Sequence, residues 1–209
     1  MECFWHKNVL AVSVNVVIVG LLLTTGCGKQ YMPEDGGRVR VKGRLKIMGE
    51  GALSAARMGR FLAGKNEDVS FGQAREFARL YLRECRREGV NADIAFAQMC
   101  LETDFLRFGG QVGPSQHNYC GLGATDGGGA GATFSSIREG VRAHVQHLKA
   151  YGSRRSLKSE KVDPRFHLVK RGSAPYLTDL AGTWATDGQY AEKIRGLIAR
   201  LRAQRDCIE

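Results

Sequence analysis

Acidic side chains are scarce in this 209-residue chain: 21 Asp and Glu stand against 31 Lys and Arg, a formal charge of +10. The surplus calls for an anionic partner, whether nucleic acid, a lipid surface or a wall polymer, and says nothing about fold. Several other signals are missing. No CxxC pair or Cys/His spacing of a zinc site occurs, and the glycines of 127–131 are followed by no Lys-Ser/Thr, so a phosphate-binding loop is excluded. Proline is rare, with 4 residues, and no internal repeat is visible. With 43% hydrophobic and 25% charged residues, wholesale disorder, collagen-like repeats and a polytopic membrane protein are excluded as well. Nor is there an apolar run long enough for a fixed membrane helix, which needs about 18–20 residues.

The longest apolar run, Val9 to Leu23, has the length of a secretory h-region and follows His6 and Lys7. Leu23-Thr24-Thr25-Gly26-Cys27 after it resembles a bacterial lipoprotein box, with Thr24 where an aliphatic residue is usual. Residues 1–27 are therefore expected to be a signal segment, with Cys27 the lipidated residue that anchors the chain to a membrane. Plain cleavage or an uncleaved anchor are the alternatives, and each of the three exports the chain to the cell envelope. Residues 28–49 are expected to be a basic linker, in which Arg38, Arg40, Lys42, Arg44 and Lys46 alternate with apolar residues. The alternation also permits a short strand or a basic arm on anionic headgroups.

From residue 50 the pattern is helical. Ser54 precedes apolar residues at Ala55, Met58, Phe61 and Leu62, with Gly64 as a terminator. Ser70 and Gln73 have capping-box spacing ahead of a stripe from Phe71 to Cys85, stopped by Gly89. Asn91 can cap a segment that is apolar nearly all round, the mark of a central buried helix. Residues 109–133 hold nine glycines and cannot form a long helix; Ser136 with Glu139 opens the next one, and Asp187 is the expected cap of the last.

Glu102 lies within the most apolar helix, one turn after Gln98 on the same face. Burial disfavours a charged carboxylate and raises its pKa, which is how a glutamate becomes a proton donor near neutral pH. A pairing with Arg107 is the plainer alternative. His144 and His147, three apart, have no third ligand and are expected to be structural, so no metal or cofactor is called for. The basic stretch 152–171 lacks the interleaved aromatics of a nucleic-acid site and is expected to be a solvated loop; no nucleic-acid partner is expected.

Four stretches together resemble the peptidoglycan-cleaving glucosaminidases of glycoside hydrolase family 73. They are Gly89 to Thr103, with its Gln98 and Glu102; Asn118-Tyr119-Cys120-Gly121-Leu122-Gly123; Phe134 to Ile137; and Trp184-Ala185-Thr186-Asp187 running on to Tyr190 and Ile194. The likeness spans roughly residues 50–202 in order and spacing. It implies a mainly α, lysozyme-like domain over 50–209, in which a short β-hairpin from the 118–134 segment faces a helical lobe across a groove. It implies hydrolysis of the β-1,4 bond after N-acetylglucosamine in peptidoglycan glycan strands, with Glu102 as general acid. Gln98, Asn118, Tyr119, Trp184 and Tyr190 fall on positions expected to hold the sugar. Trp184 departs from the tyrosine many relatives carry there, so no hydroxyl role transfers to it.

A second carboxylate is less plain. Relatives often place a glutamate in the hairpin, whereas this hairpin has only Asp126, which is equally a turn residue in Thr-Asp-Gly-Gly-Gly. Asp104 and Glu139 are lesser candidates. The substrate's own N-acetyl group, or a lone Glu102 as in lytic transglycosylases, would serve instead; a silent wall-binding lipoprotein is the non-enzymatic alternative. Cys100 and Cys120 flank the site segment and are the expected disulfide pair, with buried thiols as the alternative.

Overall fold

The computed structural model describes residues 43–125 and 129–204. Among them are five α-helices: α1 (Ala55–Ala63), α2 (Phe71–Glu88), α3 (Ala92–Glu102), α4 (Ile137–Gly152) and α5 (Tyr190–Ala203). Two-residue strands β1 (Ala124–Thr125) and β2 (Gly129–Ala130) pair antiparallel, with Ala124 opposite Ala130. The mainly helical architecture with a small hairpin in the Gly-rich excursion is the expected one. No helix among the described residues is long and apolar enough to cross a membrane.

Local chemistry sets the helix ends. Ser54 Oγ accepts from the Arg57 amide, and Ser70 with Gln73 closes a reciprocal capping box. Asn91 Oδ1 accepts from the Asp93 amide at 3.0 Å, and Ser136 Oγ from the Glu139 amide at 3.2 Å. Gly89 ends α2 in the left-handed region at φ 75°, which glycine adopts without a Cβ clash. The last helix starts later than expected. Asp187 closes the turn before it, its Oδ1 accepting from the Gln189 amide at 2.8 Å, and α5 begins at Tyr190 without a side-chain cap.

Helix α3 is the axis of the domain: every residue from Ala92 to Cys100 is buried, with α2, α4 and α5 packed around it. Burying side chains such as Phe96 and Met99 stabilises by about 1.5–3 kcal/mol each. Asp93 fixes its N-terminal end. It accepts from the Ala52 and Leu53 amides at 2.9 and 3.0 Å and from Arg202 of α5 at 3.0 Å.

Two expectations are corrected and a third is refined. The domain begins before residue 50, because Ile47 is fully buried and its amide donates to the Pro175 carbonyl while its carbonyl accepts from the Asn91 amide. The segment around it forms bridges at Lys46 with Tyr176 and at Met48 with Val90, so an apolar alternation read as linker is short strand-like pairing. The 152–171 stretch keeps most of its basic side chains exposed, as expected of a solvated loop, while its backbone is tied to the helices: buried Glu88 accepts from the Lys158 and Ser159 amides, and Gln146 Oε1 accepts from the Val162 and Asp163 amides. Cys100 and Cys120 are both buried thiols, not joined to each other; burial pushes the Cys100 thiol up. Cys85 is a third buried thiol. Cys3, Cys27 and Cys207, with the whole signal segment, lie outside the described residues.

Candidate active site

Glu102 is the last residue of α3, where the buried helix reaches the surface, and it is half-buried. One carboxyl oxygen, Oε1, takes two donors from distant parts of the chain. Trp184 Nε1–H donates to it at 3.0 Å, and the Tyr190 hydroxyl, at the first turn of α5, donates to the same atom. Oε2 has no hydrogen-bond partner among the described residues. Burial raises the Glu102 pKa above its ordinary value, and the bonds from Tyr190 and Trp184 offset part of that rise. Chemically, a carboxyl held in place through one oxygen and kept protonated to higher pH than usual, with its other oxygen unpartnered among the described residues, can serve as a proton donor. Arg107 does not pair with it, reaching Asp104 instead at 3.4 Å.

Past Thr103 the backbone enters the left-handed region at Asp104 (φ 46°), Phe105 (58°) and Leu106 (65°), and again at Phe108 (61°). Each such residue costs about 1–2 kcal/mol, so the turn persists only because it is braced. The Phe105 amide donates to the Cys100 carbonyl at 2.9 Å, the Phe108 amide to the Thr103 carbonyl at 2.7 Å, and Asn66 Nδ2 to the Phe105 carbonyl at 2.9 Å. The turn sets the direction in which the chain leaves the carboxylate, and no residue in Asp-Phe-Leu-Arg-Phe announces it.

A family model described as mannosyl-glycoprotein endo-beta-N-acetylglucosaminidase, a glucosaminidase domain, matches residues 78–203. The chain belongs to this family. It is also 48% identical over 136 residues to an uncharacterized protein of Borreliella burgdorferi, an overlap covering 65% of this chain and 67% of that one. The glucosaminidase match runs from α2 to the end of α5 and so takes in Glu102, Trp184 and Tyr190 together.

Within this glucosaminidase domain the other expected site residues divide. Trp184 and Tyr190 meet at Glu102 as described. Gln98 does not: it is fully buried, donating from Nε2 to the Tyr190 hydroxyl oxygen at 2.7 Å and facing His144 through Oε1, so it reaches the carboxyl only through Tyr190. Asn118 is also shut away from a ligand. Its Nδ2 donates to the Leu122 and Ala132 carbonyls at 2.9 and 3.1 Å and its Oδ1 accepts from the Leu122 amide at 2.9 Å, so it shapes the Gly-rich excursion. Tyr119 is 5% exposed and packs edge-on against Phe77 at 4.9 Å, as core aromatics do. Asp126 lies outside the described residues. Asp104 faces Arg107, and the Glu139 carboxylate accepts from the Ser135 amide and hydroxyl.

His147 and Tyr151 line a cavity of about 230 Å³ with Trp184, Arg165 and residues Gly121 to Ala124. Trp184 thus both holds Glu102 and walls the cavity, its ring 5.1 Å from His147 and 5.5 Å from Tyr151. His147 Nδ1 lies 2.8 Å from buried Asp163, and His144 is buried between Tyr81 and Gln98. Among the described residues no three His, Cys, Asp or Glu side chains gather as metal ligands.

Proposed function

We propose that the protein hydrolyses the β-1,4 bond after N-acetylglucosamine in peptidoglycan glycan strands, with Glu102 as general acid. The observation that carries this reading is the carboxyl of Glu102 at the open end of α3, raised in pKa by burial and held through Oε1 by Trp184 and Tyr190. Glu102 donates its proton to the bridging oxygen as the C1–O bond breaks. The oxocarbenium-like centre that develops at C1 is then met by water, whose proton returns to a base, and a reducing N-acetylglucosamine end is released. The cavity beside Trp184 gathers aromatic residues with His147 and Arg165, residue types that suit a sugar ligand. Asp126 is the hairpin acid we assign as second carboxylate.

A second reading, cleavage by a lone Glu102 to an anhydro product, is favoured by one observation: Asp104 and Glu139, the lesser candidates for a second carboxylate, are engaged with Arg107 and Ser135. Export, and lipid anchoring at Cys27, complete the proposal and agree with a wall substrate; the +10 charge suits an anionic envelope.

The test is mass spectrometry of fragments released from purified peptidoglycan by the full chain, with Glu102→Gln alongside. Reducing-end N-acetylglucosamine that disappears with the variant supports hydrolysis. Anhydro-muramic ends would replace it with the transglycosylase reading, and saturable binding without cleavage would leave a wall-binding module.

A further inference from the structure

The Tyr190 hydroxyl that holds Glu102 is itself the end of a longer series. Its one hydrogen is spent on Glu102 Oε1, so its oxygen accepts, and the donor is Gln98 Nε2 at 2.7 Å. This turns the Gln98 carbonyl toward His144, whose Nε2 lies 3.0 Å away, and places the ring hydrogen on Nε2. His144 Nδ1 is then an acceptor, and it receives the Tyr81 hydroxyl at 2.8 Å. Four donors point one way, from α2 through α4, α3 and α5 to the carboxyl. Every member except Glu102 is buried. The ring is neutral, as this order requires: burial first, then His147, brings the His144 pKa down to about 3. Burial keeps both tyrosine hydroxyls protonated.

We propose that Tyr81 and His144 are positioning residues for Glu102: by fixing the sense of this series they hold Tyr190 as a donor to Oε1 and leave the acid proton on Oε2. The proposal rests on Glu102 being the general acid. An indole N–H can only donate, and Tyr190 donates as long as Gln98 gives it a hydrogen. Oε1 therefore has no acceptor for a proton of its own, whereas Oε2 is unpartnered among the described residues. Without the Tyr81 hydroxyl, His144 Nδ1 loses its donor and the tautomer is no longer fixed. With Nε2 as acceptor the Gln98 amide turns over and presents its oxygen to Tyr190, which then donates to Gln98 and releases the carboxyl. Other titratable groups face the series. Burial pushes the Cys85 and Cys100 thiols and the Tyr119 hydroxyl up; His147 is tied to Asp163, and Cys120 is a buried thiol.

The experiment uses the full chain as wild type, Tyr81→Phe, His144→Phe, His144→Gln and Glu102→Gln. It reads kcat and KM on peptidoglycan against pH, the Glu102 carboxyl titration by ¹³C NMR, and the His144 tautomer by ¹⁵N NMR. The wild type should show the Nε2–H tautomer. Tyr81→Phe and His144→Phe should lower kcat about tenfold with KM unchanged, as loss of one aligned hydrogen bond does, and move the Glu102 titration to higher pH. His144→Gln, whose amide can accept from Tyr81 and donate to Gln98, should stay near wild type. If the folded Phe variants keep the wild-type Glu102 titration, or if His144 carries its hydrogen on Nδ1, the proposal fails and the acid assignment is untouched. If Glu102→Gln cleaves at the wild-type rate, the acid assignment fails and the proposal with it. The tautomer is read on the wild type, so a substitution that fails to fold does not leave the question open.

Discussion

Trp184 and Glu102, 82 residues apart in sequence, meet through an indole hydrogen bond of 3.0 Å. The same indole walls the cavity beside His147 and Tyr151, so the wall of the cavity and the orientation of the carboxyl are set by one side chain. The indole N–H is a donor that cannot accept, so it fixes the direction of this bond.

Trp184→Phe keeps a ring in the cavity wall and removes that donor. Because burial raises the Glu102 pKa and the Trp184 bond offsets it, the variant's carboxyl should titrate higher still. Glycan cleavage should fall about tenfold, and the alkaline limb of the rate profile should move to higher pH. An unmoved limb in a folded variant would show that the indole is only packing.

Glu102 should also weaken the fold it sits in. A carboxyl whose folded pKa lies above its ordinary 4.5 binds its proton more tightly when folded. Its contribution to stability is thus full below about pH 4.5 and is lost as pH rises through the folded value. Glu102→Gln should therefore melt higher than wild type at pH 7, and the gain should vanish below pH 4.5. Thermal melts across pH decide this, and an equal difference at both ends would contradict it.

Acid should loosen the junction of α2, α4 and the 152–171 stretch. Burial pushes the Glu88 carboxyl up, but Lys149 at 2.7 Å, the Ser159 hydroxyl and the Lys158 amide outweigh it and hold it below 4.5. Stability from this site is present above pH 4.5 and lost as pH falls through the lowered folded value. Lys149→Met, which strands a buried charge, should cost about 3–5 kcal/mol, and adding Glu88→Gln should recover part of it. Urea unfolding of the two variants measures both.

Two helical glycines should respond oppositely to alanine. A Cβ on Gly140 would stand 1.7 Å from the His117 carbonyl oxygen, where α4 crosses the chain, so Gly140→Ala should cost about 1–3 kcal/mol. Gly196 in α5 has nothing within 4 Å, and Gly196→Ala should stabilise by about 0.5–1 kcal/mol. Denaturant midpoints compare them directly.

The elements legible in the sequence were those decided within one turn of chain. Ser54, Ser70, Asn91 and Ser136 cap the helices they were expected to cap, because a cap is a bond between a side chain and an amide two or three residues on. The burial of α3 was legible for a similar reason, since a helix apolar on every face has nowhere to lie but inside. Asp187 misled because a turn and a cap use the same side-chain geometry at a shift of two residues.

By itself, then, the sequence determined the helices, their order, the central place of α3 and the choice of Glu102 as its most unusual residue. Only the tertiary structure decided what surrounds that residue. Gln98 and Asn118 look alike in sequence as polar groups near the site, yet one joins the hydrogen-bond series to Glu102 and the other is consumed by the Gly-rich loop. Tyr81 and His144 gave no local signal, since Tyr81 reads as one more apolar stripe residue and His144 as a structural histidine. Their roles come from partners 63 and 46 residues away. Local bonds are written in neighbouring letters, whereas the direction of a buried hydrogen-bond series depends on which side chains the packed helices bring within 3 Å.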